Sequence, residues 1–257
     1  MALSPLFKNR RFKAVAWHLL ASLLLALAAS ALVFGLWYPS PYASVAGGTA
    51  LFLILISVDV VMGPALTAVI ASPTKPLPEL RRDLALIVVL QLGALGYGLY
   101  TMAQARPVHL VYEIDRFRVV IAADIDPTLL PKAPEALREL PWFGPTLIAA
   151  VKPTDPAEQM KAVELGLAGI DLSMVPANWR PYAEHAADAW SRARPLQDLL
   201  ARRADLLPQA RALAARAGQP VEALRFLPLL SRHASWATVL AGPDARVVGH
   251  LTVDGFS

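Results

Sequence analysis

Residues 49–71 read Thr-Ala-Leu-Phe-Leu-Ile-Leu-Ile-Ser-Val-Asp-Val-Val-Met-Gly-Pro-Ala-Leu-Thr-Ala-Val-Ile-Ala, and this run decides the architecture. At ~1.5 Å per residue a helix of this length crosses a hydrocarbon core of ~30 Å. Its one ionisable side chain is Asp59, near the middle, with Pro64 about a turn later. A carboxylate at that depth costs roughly 2.5–3.5 kcal/mol on insertion scales. Asp59 is therefore expected to face protein. Either it is a protonated acid bonding a neighbouring helix, with Gln91 or Tyr97 as partner, or it is a docking point for another protein's transmembrane segment.

A second apolar run precedes it at 14–37, with no Asp, Glu, Lys or Arg and with His18 as its one chargeable group. A cleaved signal peptide is the rival interpretation. Signal cores are ~7–15 residues long, and this run is longer, so a retained anchor is expected. A third run, 84–102, has Gln91 as its most polar member and carries Gly93, Gly96 and Gly98, with Ala94 and Gly98 in small-xxx-small spacing. Small residues let helix backbones approach closely, whether among these three helices or toward a helix of another protein.

The short loops orient the three helices. Lys8, Arg10, Arg11 and Lys13 precede the first, and Lys75, Arg81 and Arg82 lie between the second and third. Residues 38–48 hold no Lys or Arg. Positively charged loops stay in the cytoplasm. The expected layout is a cytoplasmic basic segment at 1–13, a three-helix transmembrane region at 14–103 (14–37, 49–71 and 84–102) and an outer domain at 104–257. Trp37, Tyr38 and Tyr42 then fall at the outer interface, where amphipathic rings are favoured.

The chain has 257 residues, 56% hydrophobic, no cysteine and a net charge of +4. Without cysteine, disulfides, thiolate metal sites and cysteine nucleophiles are excluded. The basic excess belongs to the segments flanking the apolar runs; from Gln104 onward acids and bases balance. Nucleic acid is therefore not an expected partner.

The segment after Pro107 is read as a small α+β domain. Residues 108–121 are rich in Val, Ile, Tyr and Phe and suggest strands with a turn around Asp115-Arg116. Five prolines over 127–145 mark a loop, with a short helix at 134–140. Thr146 begins a strand candidate, and Thr154 or Asp155 caps a helix reaching Leu167. Helices are expected over 183–193 and 196–217, the latter broken or restarted at Pro208. Strand 224–230 and a hairpin over 236–253 return to β, so strands from both ends can share one sheet. In 247–253 the apolar residues do not alternate cleanly.

No catalytic pattern emerges. The histidines, at 18, 109, 185, 233 and 250, form no HxxxH or HExxH pair, and GxSxG, GxxxxGK[ST] and GxGxxG are absent. Each histidine is expected to be structural or superficial, and neither enzymatic activity nor a cofactor is expected. Asp124 and Asp126 read as turn caps. The segment Glu113-Ile114-Asp115-Arg116-Phe117-Arg118 stands out. On a strand, Glu113 and Asp115 share a face. With Arg116 and Arg118 they make either cross-strand charge pairs or a recognition surface beside the membrane.

Several motifs together resemble a known family: His18-Leu19-Leu20, Phe34-Gly35-Leu36-Trp37-Tyr38-Pro39, Gly47-Gly48-Thr49, residues 58–64, residues 90–100, Ala105-Arg106-Pro107-Val108 and Glu113-Ile114-Asp115-Arg116-Phe117. The pattern is similar to the TfpX/TfpZ family of type IV pilin accessory proteins. It is specific from about Arg11 to Ile125, and beyond that it rests on the order of elements and the final hairpin. The resemblance implies a multi-pass protein of a Gram-negative inner membrane, with a cytoplasmic N-terminus and a periplasmic C-terminal domain. It implies that the protein assists or chaperones type IV pilin during pilus assembly, alongside other assembly proteins, with no enzymatic step. Asp59, Gln91, Gly93 and Gly98 are then candidate contacts for the pilin helix, and Glu113, Asp115, Arg116 and Arg118 for its head. A periplasmic ligand-binding sensor and a subunit of a membrane transport complex are the alternatives.

Overall fold

The computed structural model describes residues 10–71 and 75–256. Part of the basic N-terminal segment, Lys8 included, and residues 72–74 of the second basic loop lie outside the described residues. Two compact units emerge. Of the described residues, one holds those up to Pro39 and those within Gly47–Gln104; the other holds Ser40–Ala46 and those from Ala105 onward.

The first unit is three helices, α1 (Arg11–Trp37), α2 (Gly48–Ile70) and α3 (Leu77–Gln104), each long and apolar enough to cross a membrane. Their outward faces are apolar, with Leu24, Leu27, Ile54, Val69, Val89 and Leu90 all more than half exposed. α3 starts seven residues ahead of the apolar run that marks it in the sequence. Pro78 and Glu79 explain the early start, since proline fits a first helical turn and an acid there meets the positive end of the helix dipole. Lys75 pairs with Asp83 beside this turn.

α2 is not uniform. Its middle, Val58–Met62, is a π turn, and regular helix resumes at Gly63. Pro64 supplies the reason. It has no N–H for the carbonyl four residues back, and its ring crowds that carbonyl, so the helix widens locally. Tyr38, expected at a lipid interface, is instead fully buried, and its hydroxyl donates to the Met102 carbonyl at 3.0 Å. Gly48 makes room for the ring, because a Cβ there would fall on it.

The second unit is built on a mixed eight-stranded sheet. Its strands are β1 (Pro107–Glu113), β2 (Arg116–Ile121), β3 (Thr146–Ala150), β4 (Trp179–Pro181), β5 (Arg194–Pro195), β6 (Arg225–Leu230), β7 (Ser235–Ala241) and β8 (Arg246–Leu251). The order is β4-β3-β1-β2-β6-β7-β8, with β5 pairing β6. β1 and β2 pair antiparallel, β3 runs parallel to β1, and β6 runs parallel to β2, which joins the early and late strands in one sheet. β1 is buried at every position. As a central strand covered on both faces it has no reason to alternate.

The longer helices of this unit are α4 (Pro156–Leu167), α5 (Ala186–Arg192), α6 (Leu196–Arg202) and α7 (Leu207–Ala217). Leu196, Leu199, Ala210 and Leu213 of α6 and α7 pack on Phe226, Val239 and Leu251 of β6–β8. A second core gathers Val108, Val111, Val120, Ile148 and Trp179. Asp155 caps α4 by accepting from the Glu158 N–H at 3.0 Å, and Pro208 sits in the first turn of α7, restarting the helix.

Two local expectations change, and one irregularity is explained. The helix expected over 134–140 is reduced to a 3-10 turn at Glu135–Leu137, following another at Pro127–Lys132, because Pro141 disfavours helical backbone at Leu140 and the segment after Pro134 is then too short for an α-helix. The turn after β1 falls at Ile114-Asp115 rather than Asp115-Arg116, with Ile114 at a φ of 56°. β1 ends at Glu113, so Asp115 does not share a strand face with it. Finally, β8 opposes β7 with Gly249 facing Val239 and Val247 facing Leu240, leaving Val248 as an extra residue. This bulge shifts the side-chain phase and accounts for the broken alternation.

Candidate functional site

In the helical unit the apolar spans are tied by one polar layer. His18 of α1 meets both other helices, with Nδ1 2.6 Å from Thr67 Oγ1 of α2 and Nε2 2.7 Å from Gln91 Oε1 of α3. The Gln91 amide donates to the Asp59 backbone carbonyl at 3.1 Å. With that donor committed, Gln91 Oε1 accepts from His18 Nε2–H, and Thr67 donates to Nδ1. Both ring nitrogens are thus partnered, as burial between helices requires. Gly63 lets the Gln91 amide approach, since a Cβ there would overlap it.

Asp59 lies in the π turn beside this layer, 5% exposed. Gln91 reaches its backbone, and carboxylate Oδ1 is buried with no hydrogen-bond partner among the described residues. Tyr97, the other expected partner, is 74% exposed. Asp59 borders two spaces. A cavity of about 70 Å³ lies against His18, Ser22 and Gln91. An open apolar groove of about 250 Å³ runs between α2 and α3, lined by Leu51, Leu55, Val58, Ala94, Tyr97 and Gly98 among others.

Small residues of α3 shape this groove unequally. A Cβ on Gly98 would overlap Leu55 of α2, so this glycine sets how closely the two helices approach. Gly93 and Gly96 face open space. The structure therefore brings Asp59, Gln91 and Gly98 to one region of the bundle and leaves Gly93 on an outer surface. Thr67 does not stand out in the sequence, and His18 reads there as structural or superficial, with no indication of its partners. Position along the runs was the available signal: His18 lies four residues after Ala14, Thr67 four before Ala71, and Gln91 seven after Leu84. With antiparallel neighbours, those offsets agree to within three residues, about 5 Å in depth.

The charged segment of the domain separates into two parts. Glu113 is 4% exposed, bonds Arg118 Nε at 3.1 Å and accepts from the Ser173 N–H at 3.1 Å. Arg118 also pairs with Asp171 at 2.8 Å. These groups hold β1 and β2 to the 171–174 turn. Asp115 and Arg116 pair at 2.7 Å on the exposed turn. That turn lies at the far end of β1 from Pro107, about 20 Å along the strand.

Burial tunes other domain groups. His109 is held down to about 4 by burial, with Nδ1 2.7 Å from Thr146 Oγ1. Burial also lowers His250 to about 4, and its ring contacts Tyr42 at 5.9 Å. Burial and then the Asp188 carboxylate push the Tyr112 hydroxyl up; it donates to Asp188 at 2.6 Å. α4 has no buried residue, and Met160, Val163 and Leu167 form an exposed stripe on it. A cavity of about 420 Å³ lies beneath this helix, lined by Leu129, Leu165, Met174 and Val175 with Lys132 and Lys161 at its rim.

A family model described as "Fimbrial assembly protein FimB" matches residues 7–47. The chain is 33% identical over 240 residues to a "Fimbrial assembly protein, serogroup I" of Dichelobacter nodosus, covering 93% of each. It is 32% identical, with the same coverage, to the serogroup E1 protein of that organism. A third relative there, of serogroups C1 and C2, is 40% identical over 119 residues, 46% of this chain and 88% of the relative. No solved structure matches.

Proposed function

The chain belongs to the family of fimbrial assembly proteins, and from that premise we propose that it is a membrane-embedded accessory protein that holds type IV pilin subunits before they join the fibre. The TfpX/TfpZ resemblance points to the same role. In this proposal α1, α2 and α3 cross the bacterial inner membrane. The basic segments at 1–13 and 72–83 face the cytoplasm, and the sheet domain faces the periplasm. Ser40–Ala46, the uncharged connection between α1 and α2, packs within the sheet unit, which fits a shared side for that loop and the domain.

The carrying observation is Asp59 Oδ1, buried beside an apolar groove and unpartnered among the described residues. An unmet buried acceptor costs about 1–3 kcal/mol. A pilin's apolar helix laid between α2 and α3 would cover the groove and supply a donor to Asp59, while Gln91 and His18 hold the floor rigid. The exposed stripe of α4 is offered to the pilin's periplasmic head. Holding and delivering a subunit needs no reactive group, and the proposal includes no enzymatic step.

Pilin co-purification with wild type, Asp59→Asn and Asp59→Leu tests this. One hydrogen bond between helices in lipid contributes about 0.6–1.7 kcal/mol, so Asp59→Leu is expected to weaken recovery about 3- to 20-fold. Equal recovery by a normally folded Asp59→Leu variant would remove Asp59 from the site.

A further inference from the structure

Trp142 and Phe143 are adjacent aromatics, 56% and 76% exposed, in a domain whose Trp179, Phe117 and Phe226 are fully buried. Their loop is stiff, with Pro141 and Pro145 on either side and Gly144 turning at a φ of 68°. It is also anchored. Arg106 Nε donates to the Pro141 carbonyl at 3.3 Å, and the guanidinium lies 4.1 Å over the Trp142 ring. A loop braced this firmly, with large apolar side chains outermost, marks an interaction surface.

Strand register fixes which end of the sheet carries it. β3 runs parallel to β1, with Thr146 beside His109. The residues just before Thr146 therefore lie at the end of the sheet where β1 begins. That is also where the chain arrives from α3, since only Ala105 and Arg106 separate Gln104 from Pro107. Three residue steps reach at most about 11 Å. If α3 spans the bilayer, Trp142 is thereby tethered within reach of its surface.

We propose that Trp142 and Phe143 dock into the lipid interface and hold the sheet domain against the bilayer. Tryptophan is favoured at the headgroup level, where its ring is buried and its N–H stays wet. The cation–π contact with Arg106 sets the ring's orientation before lipid is met. The consequence for the proposed function, on whose membrane topology this rests, is that the pilin-facing surfaces are held at a fixed height above the membrane.

Because the chain lacks cysteine, single nitroxide labels can be placed cleanly on the full-length protein in phosphatidylethanolamine–phosphatidylglycerol vesicles without pilin. Phe143→Cys is compared with Val89→Cys on α3 and Leu167→Cys on α4, all exposed positions. Collision rates with oxygen, which concentrates in lipid, and with a water-soluble nickel chelate are then measured. The proposal expects an oxygen-to-nickel ratio at Phe143→Cys well above that at Leu167→Cys, shifted toward Val89→Cys. A nickel-dominated Phe143→Cys with an oxygen-dominated Val89→Cys overturns the lipid contact and leaves the spans standing. Shielding of Phe143→Cys from both reagents overturns it in favour of a protein contact. A nickel-dominated Val89→Cys overturns the spans and the lipid contact together.

Discussion

Replacing Gln91 by leucine probes the polar layer most sharply. The substitution keeps a similar volume but removes the acceptor for His18 Nε2–H at 2.7 Å and the donor to the Asp59 carbonyl at 3.1 Å. At about 0.6–1.7 kcal/mol per interhelical bond, losing both costs about 1–3 kcal/mol, which is about 5- to 150-fold in the folding equilibrium. A double-mutant cycle with His18→Leu isolates the bond the two residues share, with a coupling of about 0.6–1.7 kcal/mol expected. Equilibrium unfolding in mixed micelles, followed by tryptophan fluorescence, provides the assay. Trp17 and Trp37 report from α1. Additive effects of the two substitutions, or a Gln91→Leu variant as stable as wild type, would refute the layer as a source of bundle stability.

The two α3 glycines should behave oppositely in thermal unfolding in detergent: Gly98→Ala overpacks against Leu55 and loses about 1–3 kcal/mol, whereas Gly93→Ala faces open space and gains up to about 1 kcal/mol of helix propensity. Burial holds His109 at about 4 against an ordinary 6.5, so the unfolded chain takes up the proton first on acidification. Stability from this residue is complete above pH 6.5 and is lost as pH falls toward 4, by about 3 kcal/mol at most. Its Nε2 is buried with no partner among the described residues, so the added proton finds no acceptor there; denaturant midpoints at pH 7.5 and 5 should differ less in His109→Gln than in wild type. Arg118→Met strands Glu113 as a buried charge and should cost about 3–5 kcal/mol, and adding Glu113→Gln should restore much of it in denaturant melts.

The helices were legible because a bilayer-length apolar run admits few other outcomes, and Asp59 and Gln91 announced themselves by breaking such runs. Thr67 did not, because a threonine in a helix can bond its own backbone and usually signals nothing. His18 gave no hint of its partners until depth along three separate runs was compared. In the domain, the closing hairpin showed as two β-rich runs within 236–253, and Asp155 and Pro208 marked helix starts by ordinary cap chemistry. The face of β8 was hidden by one inserted residue, Val248. The charged stretch at 113–118 misled because sequence spacing assumes an unbroken strand. The chain turns at Ile114, which buries Glu113 with Arg118 and exposes Asp115 with Arg116.

The central claim is that the groove between α2 and α3 receives the pilin helix. Its most direct test is photocrosslinking in native membranes from benzoylphenylalanine placed at Ile54, Val58 and Tyr97, which line the groove, with Leu27 on the outer face of α1 as the comparison. The predicted result is pilin adducts from the three groove positions, mapping to the pilin's apolar helix, and none from Leu27. Adducts absent from the groove, or equally abundant from Leu27, would contradict it.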